Sequence, residues 1–116
     1  MQNLFDELRE RGCDMEATME RFLNDENFYV DCLKDALYDE GFEKLGEALK
    51  AEQATESFEY AHMLKGIVAN MGLTSMFDTL VKIVEPLRKG ETAGLMGFYE
   101  DLITDRDSYR KLLPVE

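Results

Sequence analysis

Between Phe58 and Gly72 the apolar residues recur at every third or fourth position, and that period constrains the fold more than anything else in the chain. At about 100° per residue the segment divides into two faces. Ala61, Leu64, Val68 and Met71 share one side, with Tyr60 and Ile67 at its edges, and such a stripe has to be buried. His62, the only histidine, points the other way. Its neighbours at helical spacing are Phe58, Lys65, Gly66 and Ala69. A cation therefore stands one turn after the imidazole, and two residues with almost no side chain leave space beside it.

The same period runs through the rest of the chain. Leu4, Phe5 and Leu8 predict a short first helix that ends near Gly12, and Asp14 can cap a second through Met15, Met19, Phe22 and Leu23. Asn24-Asp25 interrupts. Phe28, Cys32, Leu33, Ala36 and Leu37 form the next stripe, which Gly41 breaks or kinks and Phe42, Leu45 and Leu49 continue. The helix with His62 is expected over about residues 56–71, and Gly72 suits the left-handed position just past its end. Thr74 or Ser75 should cap the following helix, with Asp78 in its first turn. That helix carries Met76, Leu80, Ile83, Val84 and Leu87 to Gly90, and Pro86 inside it should kink it or remove a hydrogen bond. Leu95, Met96, Phe98, Tyr99, Leu102, Ile103, Tyr109, Leu112 and Leu113 make the last helix, which Pro114 stops. No segment reads as a strand. The expectation is an all-α, antiparallel up-down four-helix bundle with short additional N-terminal helices. Residues 1–116 form one domain in this reading, with an N-terminal helical cap over 1–24 and the bundle over 25–113.

Charge narrows the function. The chain has 25 acids and 13 bases, a net charge of −12. Nucleic acid is not an expected partner, because neutralising phosphates needs clustered Lys and Arg. The imbalance is also uneven: 15 acids face 6 bases up to Thr55, and 10 face 7 from Glu56 onward. The half that holds His62 is thus nearer neutrality, and an acidic partner meets less repulsion there. No apolar run approaches the ~18 residues a membrane span needs, and the N-terminus lacks the basic region of a signal peptide. Cys13 and Cys32 make neither a CxxC nor a zinc spacing, so free thiols in a cytoplasmic protein are expected.

The inventory of chemistry is short. Glu59-Tyr60-Ala61-His62 is an E-x-x-H, a spacing that di-iron helical bundles use twice and on inward-facing residues. Here it occurs once, with an outward-facing histidine, so a metal-dependent helical-bundle enzyme is the remote alternative and no metal or cofactor is expected. A Ser or Cys triad lacks a base other than His62, and Cys13 and Cys32 read as small core residues. Gly90, Gly94 and Gly97 are spaced wrongly for a phosphate loop and follow no strand. Most of the seven methionines lie on apolar stripes, as core packing requires. The imidazole itself remains as a nucleophile. A neutral ring nitrogen can attack phosphorus if the approach is open, since the transferring group lies in line between donor and acceptor. Gly66 and Ala69 provide the opening, and Lys65 can offset the charge of the arriving group.

Ala61-His62-Met63-Leu64-Lys65-Gly66 followed by Asn70-Met71-Gly72 resembles the A-H-x-L-K-G-x-x-x-N-x-G signature of histidine-containing phosphotransfer (HPt) domains. The apolar pattern from about Phe28 to Lys89 fits the same family less specifically. The resemblance implies a four-helix bundle that is not an enzyme on its own. It implies that His62 accepts a phosphoryl group from an aspartyl phosphate on a receiver domain, of a response regulator or a hybrid histidine kinase, and passes it to another receiver. Lys65 would stabilise the phosphohistidine, Gly66 would clear room for it, and Asn70 and Gly72 would shape the helix end. From the helical wheel, the docking surface should include Phe58, Met63, Ala69 and Leu73 around His62. One departure stands out. Some members place a polar residue, often Gln, on the next helix about 22 positions past the histidine, and here that position is Val84. A helical adaptor that binds a receiver or kinase without carrying phosphate is the alternative, because the same apolar rim would serve it.

Overall fold

The computed structural model describes residues 2–114, and among these it is all-helical, with no strand. Seven helices follow one another: α1 (Gln2–Glu10), α2 (Met15–Arg21), α3 (Glu26–Leu37), α4 (Gly41–Lys50), α5 (Ala54–Met71), α6 (Thr74–Arg88) and α7 (Met96–Arg110). The cap expected at Asp14 holds: its carboxylate accepts from the Ala17 amide at 3.1 Å. Asp25, read from the sequence only as part of an interruption, caps α3 by accepting from the Phe28 amide at 3.0 Å, so each satisfies a donor that a helix start leaves free.

Helix α5 is central. It packs against α4 and α6, while α7 packs against both α6 and α4, so these four make a closed circuit of contacts, with α3 against α5 and α7. The core runs from Leu4 of α1 to Tyr109 of α7. The α5 stripe lies within it: Ala61, Leu64, Val68 and Met71 are buried, and Tyr60 and Ile67 sit at its margin. Full burial of one leucine such as Leu64 contributes on the order of 2 kcal/mol. The N-terminal segment joins the same core. Phe5 and Phe22 place their rings 5.8 and 5.2 Å from that of Tyr29, the latter edge to face.

The break expected near Gly41 is present: Tyr38 ends α3, and the Asp39 carboxylate accepts from the Gly41 amide at 2.7 Å where α4 starts. Other local expectations change. Neither Thr74 nor Ser75 caps α6. Leu73 occupies that position without a side-chain bond, and Asp78 lies beyond the first turn. Ser75 is drawn away by tertiary partners: its hydroxyl donates to Asp105 and lies 3.0 Å from the Tyr109 hydroxyl. Helix α6 continues through Pro86 to Arg88, and of the two outcomes expected there the lost hydrogen bond follows, since proline has no N–H to give the Lys82 carbonyl. Helix α7 ends at Arg110, and Leu112 and Leu113 pack against the core from the turn beyond it. Both cysteines are free, Cys13 buried and Cys32 at the core margin. No helix among the described residues is long and apolar enough to cross a membrane.

Candidate functional site

The site is one face of α5. His62 is exposed, on the side opposite the buried stripe, and Lys65, Gly66 and Ala69 follow it along the same face. Lys65 is half-buried and makes no ion pair or hydrogen bond among the described residues, so its ammonium has no carboxylate to release before it meets an anion. Gly66 is exposed, and a Cβ built on it meets nothing within 4 Å. Folding therefore sets no steric demand for glycine there.

The end of the helix is fixed from outside. Gly72 takes the left-handed conformation at φ 77°, which glycine enters without the penalty of a side chain. A Cβ there would also collide with the Thr18 hydroxyl of α2. Arg21 of α2 donates to the carbonyls of Asn70 at 3.1 Å and Ala69 at 3.2 Å. The Tyr29 hydroxyl donates to the carbonyl of Met71 at 2.8 Å. These are among the last carbonyls of α5, which have no partner within their own helix, and a guanidinium also complements the negative end of the helix dipole. The N-terminal helices thus hold the lower end of the candidate site. Burial above all, with the neighbouring Cys13 and Tyr109 hydroxyl adding to it, pushes the Tyr29 phenol well above its ordinary value.

The expected docking residues divide. Met63 is 42% exposed, and its methyl end lies against Gly41 at the start of α4. Ala69 is exposed. Phe58 is half-buried and stacked on the His62 ring, with centroids 5.5 Å apart and planes 21° from parallel. Leu73 does not belong to the exposed rim. It is 0% exposed, because the turn at Gly72 redirects the chain and sends this side chain into the core as α6 begins. Phe77 of α6 takes the outer position instead. With Ala69, Gly72, Leu73 and Thr74 it lines an open, mostly apolar groove of about 210 Å³ below the histidine.

Two further neighbours, Arg88 and Cys32, were not legible as site residues. Arg88 of α6 places its guanidinium carbon 5.3 Å from the Phe58 ring centre, while its own ion pair with Glu85 is long at 3.7 Å and exposed. Cys32 lines a shallow depression with Asp35, Asp39, Ile67 and Asn70 on the flank of α5, and desolvation first, then Asp35 and Asp31, push its thiol up. Val84 is 0% exposed. Helix α6 thus offers the imidazole no hydrogen bond from that position, because Val84 faces the core.

Glu59 is exposed beside His62, but among the described residues no group of three or more His, Cys, Asp or Glu side chains is placed to hold a metal ion. No protein-family model matches the chain, and no characterised protein or solved structure shows significant similarity to it.

Proposed function

We propose that this chain is a phosphorelay intermediate of two-component signalling, an HPt protein of the cytoplasm that carries a phosphoryl group on His62 between receiver domains. The observation that carries the reading is the joint placement on one helix face of an exposed imidazole, an uncommitted ammonium at Lys65, and open space over Gly66. Those residues belong to the segment that resembles the HPt signature. The closed circuit of α4, α5, α6 and α7 is consistent with the antiparallel four-helix bundle that the resemblance implies. Arg88 lies near Phe58 at the start of α5 and Phe77 near Ala69 towards its end, as opposite running directions of α5 and α6 require.

In the proposed step the lone pair of a neutral ring nitrogen of His62 attacks the phosphorus of an aspartyl phosphate. The bond from phosphorus to the aspartate oxygen breaks, and the carboxylate leaves with the electron pair. The proton on the other ring nitrogen stays or passes to water. Transfer to a second receiver reverses these events. Lys65 offsets the charge of the phosphoryl oxygens, and Gly66 lets the partner's loops approach the ring. The receiver supplies the magnesium ion and the acidic pocket, so the chain acts as a carrier and is not an enzyme on its own.

The test is transfer of label from phosphorylated receiver domains. The product should be acid-labile and absent in His62→Gln, and Lys65→Ala should slow transfer without lowering stability. Label that persists in His62→Gln overturns the assignment. The exposed Met63 and the groove at Phe77 also favour a second reading, an adaptor that binds a receiver or kinase without carrying phosphate. Equal binding by wild type and His62→Gln, with no phosphohistidine formed by either receiver or kinase, would select it.

A further inference from the structure

Towards a donor docked in one fixed position, an exposed imidazole is a poor acceptor unless its plane is held, because the lone pair that attacks phosphorus lies in that plane. The torsion that rotates the ring is broad, so an unsupported ring samples many orientations. The usual support is a hydrogen bond to one ring nitrogen. Among the described residues His62 has none, and Val84 is buried and apolar. The support present is of another kind. The Phe58 ring lies one helical turn before His62, with a centroid separation of 5.5 Å and an interplanar angle of 21°. This falls within the range of offset-stacked aromatic pairs, which prefer such geometry over random contact. Phe58 itself is restrained: it is half-buried against the core, and the Arg88 guanidinium from the neighbouring helix lies over its ring.

We propose that Phe58 is a positioning residue whose ring stacks on the His62 imidazole and fixes its plane, replacing the missing hydrogen bond. The proposal deepens the phosphoryl-carrier reading and rests on it for its biological meaning, while the ring geometry is testable alone. Stacking holds the ring plane and leaves the attacking nitrogen's lone pair free, without a bond to either ring nitrogen. It also assigns Phe58 a role distinct from docking: a docking residue acts on the affinity for the partner, and a positioning residue acts on the transfer rate once the partner is bound.

Because His62 is the only histidine, its ring C–H signals are uniquely identifiable by NMR. In Phe58→Leu the ring-current shift of these signals should vanish and their order parameter should fall, while the melting curve stays cooperative; Phe58→Tyr should keep both. With a receiver that labels the wild type, Phe58→Leu should lower the saturating transfer rate by about two- to ten-fold, the factor an aromatic stacking energy supports, with KM unchanged, and Phe58→Tyr should restore it. Phosphoramidate serves as a small donor that needs no docking: its P–N bond breaks as the ring nitrogen takes the phosphoryl group, and ammonia leaves. It should react with wild type and Phe58→Leu at rates within about two-fold, since the nitrogen itself is unaltered. The proposal is overturned if the ring order of Phe58→Leu equals that of wild type, if only KM changes, or if phosphoramidate slows as much as the receiver does. Failure of every receiver to label the wild type would overturn the phosphorelay reading, and the NMR comparison would still decide whether Phe58 holds the ring.

Discussion

Replacing Gly66 by alanine is expected to make this protein more stable and, under the proposed carrier function, a worse phosphoryl acceptor. The stability half follows from the structure. Gly66 lies inside α5, a helix of 18 residues, its backbone is helical, and a Cβ there meets nothing within 4 Å. No contact is lost and no clash is made, so the conformational terms remain. Glycine in an exposed helix interior is less favourable than alanine by roughly 0.5–1 kcal/mol. For a domain of this size that raises the melting temperature by about 2–5 °C. Gly66→Gln should keep most of the gain, because glutamine is also a good helix former. Transfer should move the other way. A methyl group should slow acceptance a few-fold, and the longer glutamine should slow it on the order of 100-fold, the cost of displacing reacting groups by about 1 Å. Gly72→Ala, just past the end of the same helix, is the control of opposite sign. At φ 77°, with Thr18 in the way, it should destabilise by about 1–3 kcal/mol. Urea denaturation and transfer from a labelled receiver read the two effects separately. If Gly66→Ala destabilises the fold, the open space is not there. If Gly66→Gln is more stable and accepts phosphate at the wild-type rate, the partner does not approach over this face and the role given to Gly66 is wrong.

Two further outcomes test the supports around the site. Arg21→Ala removes the guanidinium from the carbonyls of Ala69 and Asn70 and should cost about 0.5–1.5 kcal/mol, with faster amide exchange confined to the last turn of α5; uniform acceleration along α5 would refute local capping. Burial is the first cause that raises the Tyr29 and Tyr109 phenols above their ordinary value, so the folded state holds both un-ionised. Their contribution to stability is complete below the unfolded value near pH ~10 and is lost as pH rises past it, by up to about 1.4 kcal/mol per pH unit for each tyrosine. The urea midpoint should therefore fall steeply above pH ~10, and Tyr29→Phe with Tyr109→Phe should flatten that fall; an unchanged slope in the double variant would refute the assignment.

What was legible in the sequence was whatever a single helix determines. The stripe of Ala61, Leu64, Val68 and Met71, the outward His62 and the helix end at Gly72 all follow from one period and one left-handed residue, and the structure places them as expected. Leu73 failed because a helical wheel was extended past the point where the helix stops. Once Gly72 turns the chain, angular position on α5 no longer predicts a direction, and Phe77 from α6 fills the outer position. Ser75 failed as a cap for a related reason: a local bond to its own backbone lost to Asp105 and Tyr109, which lie far along the chain. Arg106 was also illegible, since an arginine with flanking acids reads as surface, yet it is buried against Phe42 and paired with Glu43 and Asp107. The Phe58–His62 stack lies between these cases. Its spacing of one turn was visible, but the residues that restrain Phe58 come from the core and from Arg88 on another helix. The groups on this face, Phe58 stacked on His62 among them, thus come from α5, and the groups that restrain them from outside come from its neighbours. A substitution within α5 should therefore alter what the site can do, whereas one in α2 or α6 should alter how well it is held, and the Gly66 and Arg21 variants divide along that line.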